Sequence, residues 1–271
     1  MITFSRLGRN GNTGNSMFQF AALIGLSNKT GFDYSIPKHE SYFDVNYNCM
    51  NFSIYEGFDI NCKININYNF DNNYEEPYFH YDPDINLIQD STDINGYFQT
   101  EKYFEHCKQK VYEQLQFKDA IKKDIDKEIR DGKYSDPNDT TSIHIRRGDY
   151  CQKQEYHPFQ KLSYYKQACK VASNKKYIFF SDDIDWCRKT FGNDSRLEYS
   201  HEENPFKAMY HMSLCSKHII CNSTFGWWGA WLGEMAFPNK DRIIVAPKIW
   251  FGPAHSKYNS KDIIPKRWIK I

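Results

Sequence analysis

Arg146 and Arg147 stand side by side in the stretch TSIHIRRGDY, after a strand-like run and before a Gly-Asp turn. Guanidinium groups at a strand end suit phosphate, because they donate paired hydrogen bonds and cannot lose their charge. Along the strand, Ile143 and Ile145 share one face while Ser142, His144 and Arg146 share the other. Asp149 follows on the turn, where it can orient an arginine or accept a proton from a hydroxyl. Each residue also has a plainer reading. The arginines can be a surface pair, and Asp149 can bond its own backbone. For His144 a satisfied core histidine is preferred over a chemical role.

Three other stretches carry polar groups at positions suited to a ligand. In GRNGNTGNSMFQ, glycines between a strand and a helix let backbone approach an anion at the helix N-terminus. Gly8, Gly11 and Gly14 match neither the dinucleotide fingerprint nor the P-loop, and a tight turn explains them equally well. In IFFSDDID, Asp182 and Asp183 follow an apolar strand, and Asp183 and Asp185 spell D-x-D, a pattern able to hold a metal. The same spelling recurs at Asp82 and Asp84 and at Asp124 and Asp126, so helix capping by Asp182 or Asp183 is preferred. In IICNSTFGWWGAWLG, Asn222, Ser223 and Thr224 end a strand and open a helix, where a phosphate, ribose or base can be held. Trp227, Trp228 and Trp231 need only a core helix.

These groups must be positioned by strands and helices. The first segment reads as strand ITFSRL, turn, and helix SMFQFAALIGLSNK, with Asn15 or Ser16 as cap and Gly31 as stop. Residues 40–99 read as short strands and loops. TEKYFEHCKQKVYEQL, capped by Thr100, and KDAIKKDIDKEIRDG read as helices. KYSDPNDT is the best linker, which divides the chain into 1–138 and 139–271. Beyond it, strands TSIHIRR, KYIFFS, HIICN and RIIVAP alternate with helices. Those helices carry Ser163 and Asn204 as caps, Pro205 at a first helical position and Gly192 as a stop. Strand–helix alternation predicts an α/β fold with a parallel sheet covered on both faces.

The bulk composition narrows the partners. The chain has 271 residues, 40% hydrophobic and 17% aromatic, enough for one large domain or two small ones with a real core. A formal net charge of +1 gives no basic excess for nucleic acid. No leader pattern opens the sequence and no run approaches a membrane span, so cytoplasmic work is expected, with peripheral membrane association left open. None of the eight cysteines forms C-x-x-C, so structural zinc is not expected and reduced thiols are.

Together, GNTGNSMFQFA, HIRRGDY, YIFFSDDIDWC, CNSTFGWWGAWLG and VAPKIW resemble the α-1,2-fucosyltransferases of glycosyltransferase family 11, in that family's order and approximate spacing. The related α-1,6- and protein O-fucosyltransferases share the H-x-R-R-x-D theme. Residues 35–100 carry little of the resemblance.

The resemblance implies a GT-B-like architecture, two Rossmann-like halves facing a cleft. It assigns residues 1–138 to the acceptor side and 139–271 to the donor. It implies GDP-β-L-fucose as donor, a galactose-containing oligosaccharide or polysaccharide as acceptor, inversion at the anomeric carbon, and no cofactor or required metal. By motif, Arg146 and Arg147 would hold the donor diphosphate, with His144 among the donor-binding residues. Gly14 and Asn15 would sit near the diphosphate or fucose, and Asp182, Asn222, Ser223 and Thr224 would line the GDP side. Arg146 and Arg147 would stabilise the leaving group, and Asp149 is the candidate base or an orienter of Arg146.

Two residues depart from the family pattern: Ala208, where an acidic residue is usual, and Gly226, where serine is. They keep open a non-catalytic GDP-sugar or glycan-binding homologue. A metal-dependent transferase using Asp183 and Asp185 is the other alternative.

Overall fold

The strand–helix alternation expected beyond the linker builds one parallel sheet, and the first half, where residues 40–99 read as short strands and loops, builds a second. The computed structural model describes residues 1–45, 49–64, 69–238 and 242–271. It divides into two compact units, residues 1–116 with 257–265, and residues 117–256 with 266–271.

The first unit holds strands β1 (Ile2–Thr3), β2 (Tyr34–Ile36), β3 (Tyr42–Asp44), β4 (Cys49–Asn51), β5 (Lys63–Ile64), β6 (Asn72–Glu75) and β7 (Thr92–Asn95). Its helices are α1 (Thr13–Thr30), α2 (Ile54–Gly57) and α3 (Lys108–Gln114). A parallel sheet runs in the order β5-β2-β1-β7-β6, and β3 pairs with β4 as a separate antiparallel ribbon. Helix α1 starts earlier than expected. Asn12, with extended backbone, is its cap position, and the Asn15 amide already bonds the Asn12 carbonyl at 2.8 Å. Neither Asn15 nor Ser16 is the cap. Gly31 stops the helix as predicted: at φ 78° its N–H reaches the Ser27 carbonyl, a left-handed closure that suits glycine. Thr100 accepts from the Lys102 amide as predicted, but the turn it caps is 3₁₀ (Glu101–Tyr103) and α-helix begins only at Lys108.

The second unit holds helices α4 (Asp119–Arg130), α5 (Leu162–Val171), α6 (Ile184–Phe191), α7 (Pro205–Leu214) and α8 (Thr224–Ala236). Its strands are β8 (Thr140–Ile145), β9 (Lys176–Ser181), β10 (Leu197–Tyr199), β11 (Lys217–Ile219), β12 (Ile243–Ala246) and β13 (Ile269–Lys270). They form one parallel sheet ordered β10-β9-β8-β11-β12-β13. The chain therefore walks outward from β8 in one direction, then returns to β11 and walks outward in the other. Loops after β8 and β11 leave on opposite faces, which opens a crevice at the carboxyl ends of those two strands.

The division falls at 116/117, ahead of the expected 138/139. Helix α4 belongs to the second unit, where Asp124 pairs with Lys207 at 2.7 Å and Asp126 accepts from the Tyr210 hydroxyl at 3.0 Å. The expected linker is tied down: the Ser135 amide and hydroxyl bond Glu198, and the Ser216 amide bonds the Pro137 carbonyl. Its Pro, Asp and Asn residues make a 3₁₀ turn, not a hinge.

Asn204 and Pro205 open α7 as expected, and Gly192 follows the end of α6. Helix α5 instead follows Lys161 without a side-chain cap, so Ser163 lies inside it. Trp227, Trp228 and Trp231 on α8 are fully buried, with Trp268 packed on Trp227. All eight cysteines are free. No described helix is long and apolar enough to cross a membrane.

Burial also fixes how the second unit answers acid. It pushes His144 down to about 3, His157 and His211 to about 4, and His218 well below the ordinary imidazole range. Unfolded, these histidines take up protons below about pH 6.5; folded, they refuse them until about pH 4 or lower. The unfolded state then binds more protons, so stability is lost as pH falls through that window. His144, His157 and His211 should each remove up to about 1.4 kcal/mol per pH unit between about pH 6 and pH 4.5, and His218 acts in the same direction. All six tryptophans lie in this unit, so their fluorescence in urea titrations at two pH values reads it alone. Equal midpoints at about pH 7.5 and about pH 5 would contradict the burial of these rings.

Candidate active site

Arg146 and Arg147 follow the last residue of β8, beside the crevice between β8 and β11. Asp149 opens the next 3₁₀ turn, and Asp182 and Asp183 follow β9. Arg146 sits between two of these carboxylates. Its Nε donates to Asp149 Oδ1 at 3.0 Å, its Nη2 lies 2.7 Å from the same oxygen, and its Nη1 lies 3.0 Å from Asp182 Oδ2. The other Asp182 oxygen accepts the Arg147 amide at 2.8 Å. Gly148 is required here, because a Cβ would come within 2.4 Å of Asp182 Oδ2. Burial opposes a charge on Arg146, but Asp182 and Asp149 outweigh it and raise its pKa above the usual guanidinium value.

Arg147 is held differently. Its Nε donates to Asp183 Oδ2 at 2.9 Å, and its guanidinium lies 4.1 Å from the Trp186 ring centroid and 4.8 Å from that of Phe159. Asp183 also caps α6 by accepting the Trp186 amide. The capping reading of this stretch therefore holds for Asp183, while Asp182 serves the arginines. Asp185, exposed, pairs with Arg188. Both carboxylates of the D-x-D spelling thus face arginines.

An arginine has five N–H groups. If every contact above consumes one, Arg146 spends three and Arg147 one, leaving two on the first and four on the second. Three carboxylates face two guanidiniums, so the cluster carries no positive excess. What it offers an anion is aimed N–H groups, fixed before the ligand arrives.

The crevice's other wall comes from β11 and α8. Asn222 is buried and committed at both ends: its Nδ2 donates to the Trp250 carbonyl at 3.0 Å and its Oδ1 accepts from Gln160 at 2.9 Å. Its carbonyl accepts the Tyr150 hydroxyl at 2.9 Å, which joins the two loops. Asn222 is a brace. Ser223 occupies the α8 cap position but makes no side-chain cap bond, and Thr224 is the first helical residue. These two hydroxyls and the α8 N-terminus stand at the strand end, a place suited to phosphate.

His144 is a packed ring, in line with its plainer reading. Its Nδ1 lies 3.3 Å from Cys221 Sγ and its ring 5.3 Å from that of Phe225. With its pKa depressed by burial and by Arg146, it is neutral at physiological pH.

Gly14 and Asn15 belong to the first unit, in the first turn of α1 after the corresponding end of β1. Gly14 is buried; Asn15 is partly exposed and its Oδ1 accepts from Gln99 at 3.1 Å. Gly8 and Gly11 adopt φ 81° and 80°, and Asn51 Nδ2 donates to both of their carbonyls at 2.9 Å. The turn is built, not merely tight. Phe159, Gln160 and Tyr150 escaped the sequence reading because they lie in a stretch without periodicity; Trp186 could have been found as an aromatic four residues beyond Asp182.

The sequence model of the family described as Glycosyl transferase family 11 matches residues 4–271. The chain belongs to this family. The O-antigen biosynthesis glycosyltransferase WbnK of Escherichia coli is 35% identical over 147 residues, 49% of this chain and 44% of that protein. The Alpha-1,2-colitosyltransferase of Escherichia coli is 29% identical over an alignment covering 96% of each. The NodZ alpha-1,6-fucosyltransferase structure soaked with GDP-fucose matches with a TM-score of 0.54, over 85% of this chain and 92% of that one, at 13% identity. That likeness concerns the fold, two α/β units on parallel sheets, the GT-B-like class the sequence resemblance implied.

The Gly226 departure from the family 11 pattern has a local cause. A Cβ there would meet His144 Nδ1 at 2.6 Å, and the ring cannot retreat past Cys221 and Phe225. Gly226→Ser should cost about 1–3 kcal/mol as overpacking, read from tryptophan fluorescence in urea. A variant as stable as the parent would show that His144 has room to move.

Proposed function

We propose that this family 11 protein is an inverting glycosyltransferase that moves L-fucose from GDP-β-L-fucose to a sugar hydroxyl, α-1,2 to galactose of a glycan. The observation that carries the reading is the pair of pre-aimed guanidiniums at the β8–β11 crevice. The second unit takes the donor nucleotide and the first serves the acceptor.

The reaction displaces GDP from C1 of fucose by an acceptor hydroxyl, so negative charge builds on the β-phosphate as that bond breaks. Arg146 and Arg147 meet that charge with N–H groups already oriented by Asp149, Asp182 and Asp183. Oriented donors of this kind supply the largest electrostatic part of many rate enhancements. Ser223, Thr224 and the α8 N-terminus hold the remaining phosphate oxygens. Asp149, its carboxylate 2.7 Å from Arg146, acts as a positioning residue for that arginine, and the proton of the acceptor hydroxyl passes to the departing diphosphate or to solvent. The fixed cations let the step run without a metal.

The relative aligned over 96% of each chain is named a colitosyltransferase. Colitose is fucose without its 3-hydroxyl, so a GDP-colitose donor is the second reading, and the two donors can be run side by side.

The test is GDP release from GDP-fucose with and without β-galactosides, in EDTA. Acceptor-stimulated release is expected. Arg146→Ala should lose more than about 100-fold in kcat, since one well-placed donor alone is worth about 3 kcal/mol. Wild-type turnover in that variant would overturn the arginine assignment. GDP binding without release by the parent would leave a nucleotide-sugar binder in place of an enzyme.

A further inference from the structure

The sheet of the first unit has a crevice of its own. Its order places β1 beside β7, with β2 and β5 beyond one and β6 beyond the other. Loops leaving the carboxyl ends of β1 and β7 therefore bound a place where open α/β sheets take ligands. The loop after β1 is the glycine-rich turn. The loop after β7 is Gly96–Thr100.

That second loop is held in a backbone that costs energy. Gly96 has φ 156° and Phe98, a non-glycine residue, has φ 51°. One carboxylate fixes both. Glu76 Oε2 accepts the amides of Tyr97 at 2.7 Å and Phe98 at 2.9 Å, and its side chain occupies the space a Cβ on Gly96 would need. From the other side Gln19 Nε2 donates to the carbonyls of Gly96 at 3.1 Å and Asn10 at 3.0 Å, tying the two loops together. Strain maintained by dedicated contacts is a feature of functional positions.

The loop so held turns Gln99 back onto α1. Gln99 is 7% exposed, and its Nε2 donates to Asn15 Oδ1 at 3.1 Å. Its carbonyl Oε1 is buried and has no hydrogen-bond partner among the described residues. Leaving an acceptor unmade in this way is costly, so such a group marks a place for a donor. No described hydrogen bond or ion pair joins the Gln99 side chain to a charged group, and a neutral donor that arrives with the substrate, a sugar hydroxyl, fits it.

We infer that Gln99 is a sugar-hydroxyl-binding residue of this protein, its amide aimed by Asn15, and that Glu76 is the positioning residue that locks the Gly96–Phe98 turn. The inference rests on the glycosyl-transfer reading above. The hydroxyl belongs to the acceptor or to the transferred sugar, and kinetics separate these two.

Gln99→Met keeps the volume and removes both polar ends. Its GDP affinity and urea midpoint should stay near those of the parent, because GDP lacks both the fucosyl and the acceptor hydroxyls and its ribose belongs to the second unit's site. Its kcat/KM for transfer should fall by about tenfold or more, the worth of one hydrogen bond to substrate. A fall confined to the acceptor KM assigns the hydroxyl to the acceptor. An equal fall in GDP-fucose hydrolysis without acceptor assigns it to fucose. Glu76→Ala should reproduce the loss and Glu76→Gln, which keeps an oxygen for the two amides, should restore most of it. If Gln99→Met does not fold, Gln99→Asn repeats the test with both polar atoms drawn back by one methylene. Transfer and hydrolysis within about twofold of a turning-over parent would overturn the inference alone. A parent that releases no GDP from either sugar donor would overturn the functional reading, and this inference with it.

Discussion

Everything around the candidate site depends on how Arg146 is held. A guanidinium at the end of a buried strand loses much of its hydration, and the two carboxylates that flank it make its charge tolerable there. They also fix its direction. Asp149 arrives from the turn three residues on, and Asp182 from the neighbouring strand β9. The sheet order makes this possible, because β9 runs beside β8 in register from Thr140 opposite Lys176 to Ile145 opposite Ser181. Gly148 removes the one side chain that would push Asp182 away. With three acids against two bases, directed hydrogen bonds and not net charge must recognise an anion.

The same logic repeats with different chemistry in the first unit. There an acid, Glu76, fixes a loop end, and that loop is strained; no cation stands beside Glu76 among the described contacts. Among the polar groups those two loops bring together are the amides Asn10, Asn15, Gln19 and Gln99, with Arg9 on the first loop. Amides suit neutral hydroxyls as guanidiniums suit phosphates. On the reading proposed above, the second unit holds the departing nucleotide and the first meets sugar hydroxyls.

Much of the second unit was legible in the sequence because its strands are short apolar runs bounded by strong signals. Asn204 with Pro205, Gly192, and the Asp183 cap are local devices, and each does what its residue type dictates. The linker was misread for an equally local reason. Pro137 and its polar neighbours spell a turn, and nothing in their spelling reveals that Glu198 and Ser216 pin them. Burial decided the rest. His144 and Asn222 look like ligand-facing groups at a strand end, yet Cys221, Gly226, Gln160 and Trp250 pack or bond them into the wall. Ala208 lies against the apolar cluster of Tyr134, Ile178 and Phe180, so the acid usual in the family would meet apolar side chains there. Gln99 was invisible for the opposite reason: its role depends on a turn whose geometry comes from Glu76, twenty-odd residues away in sequence.

The central claim is that orientation, not charge, makes the arginine cluster an anion site. Titrating GDP into Asp149→Ala by calorimetry tests it most directly, because the two accounts differ in sign. Removing the carboxylate raises the positive charge but releases the Arg146 fork. If orientation governs, GDP should bind at least about tenfold more weakly, the loss of about 1.4 kcal/mol. Unchanged or tighter binding would contradict the claim and return the site to simple attraction of opposite charges.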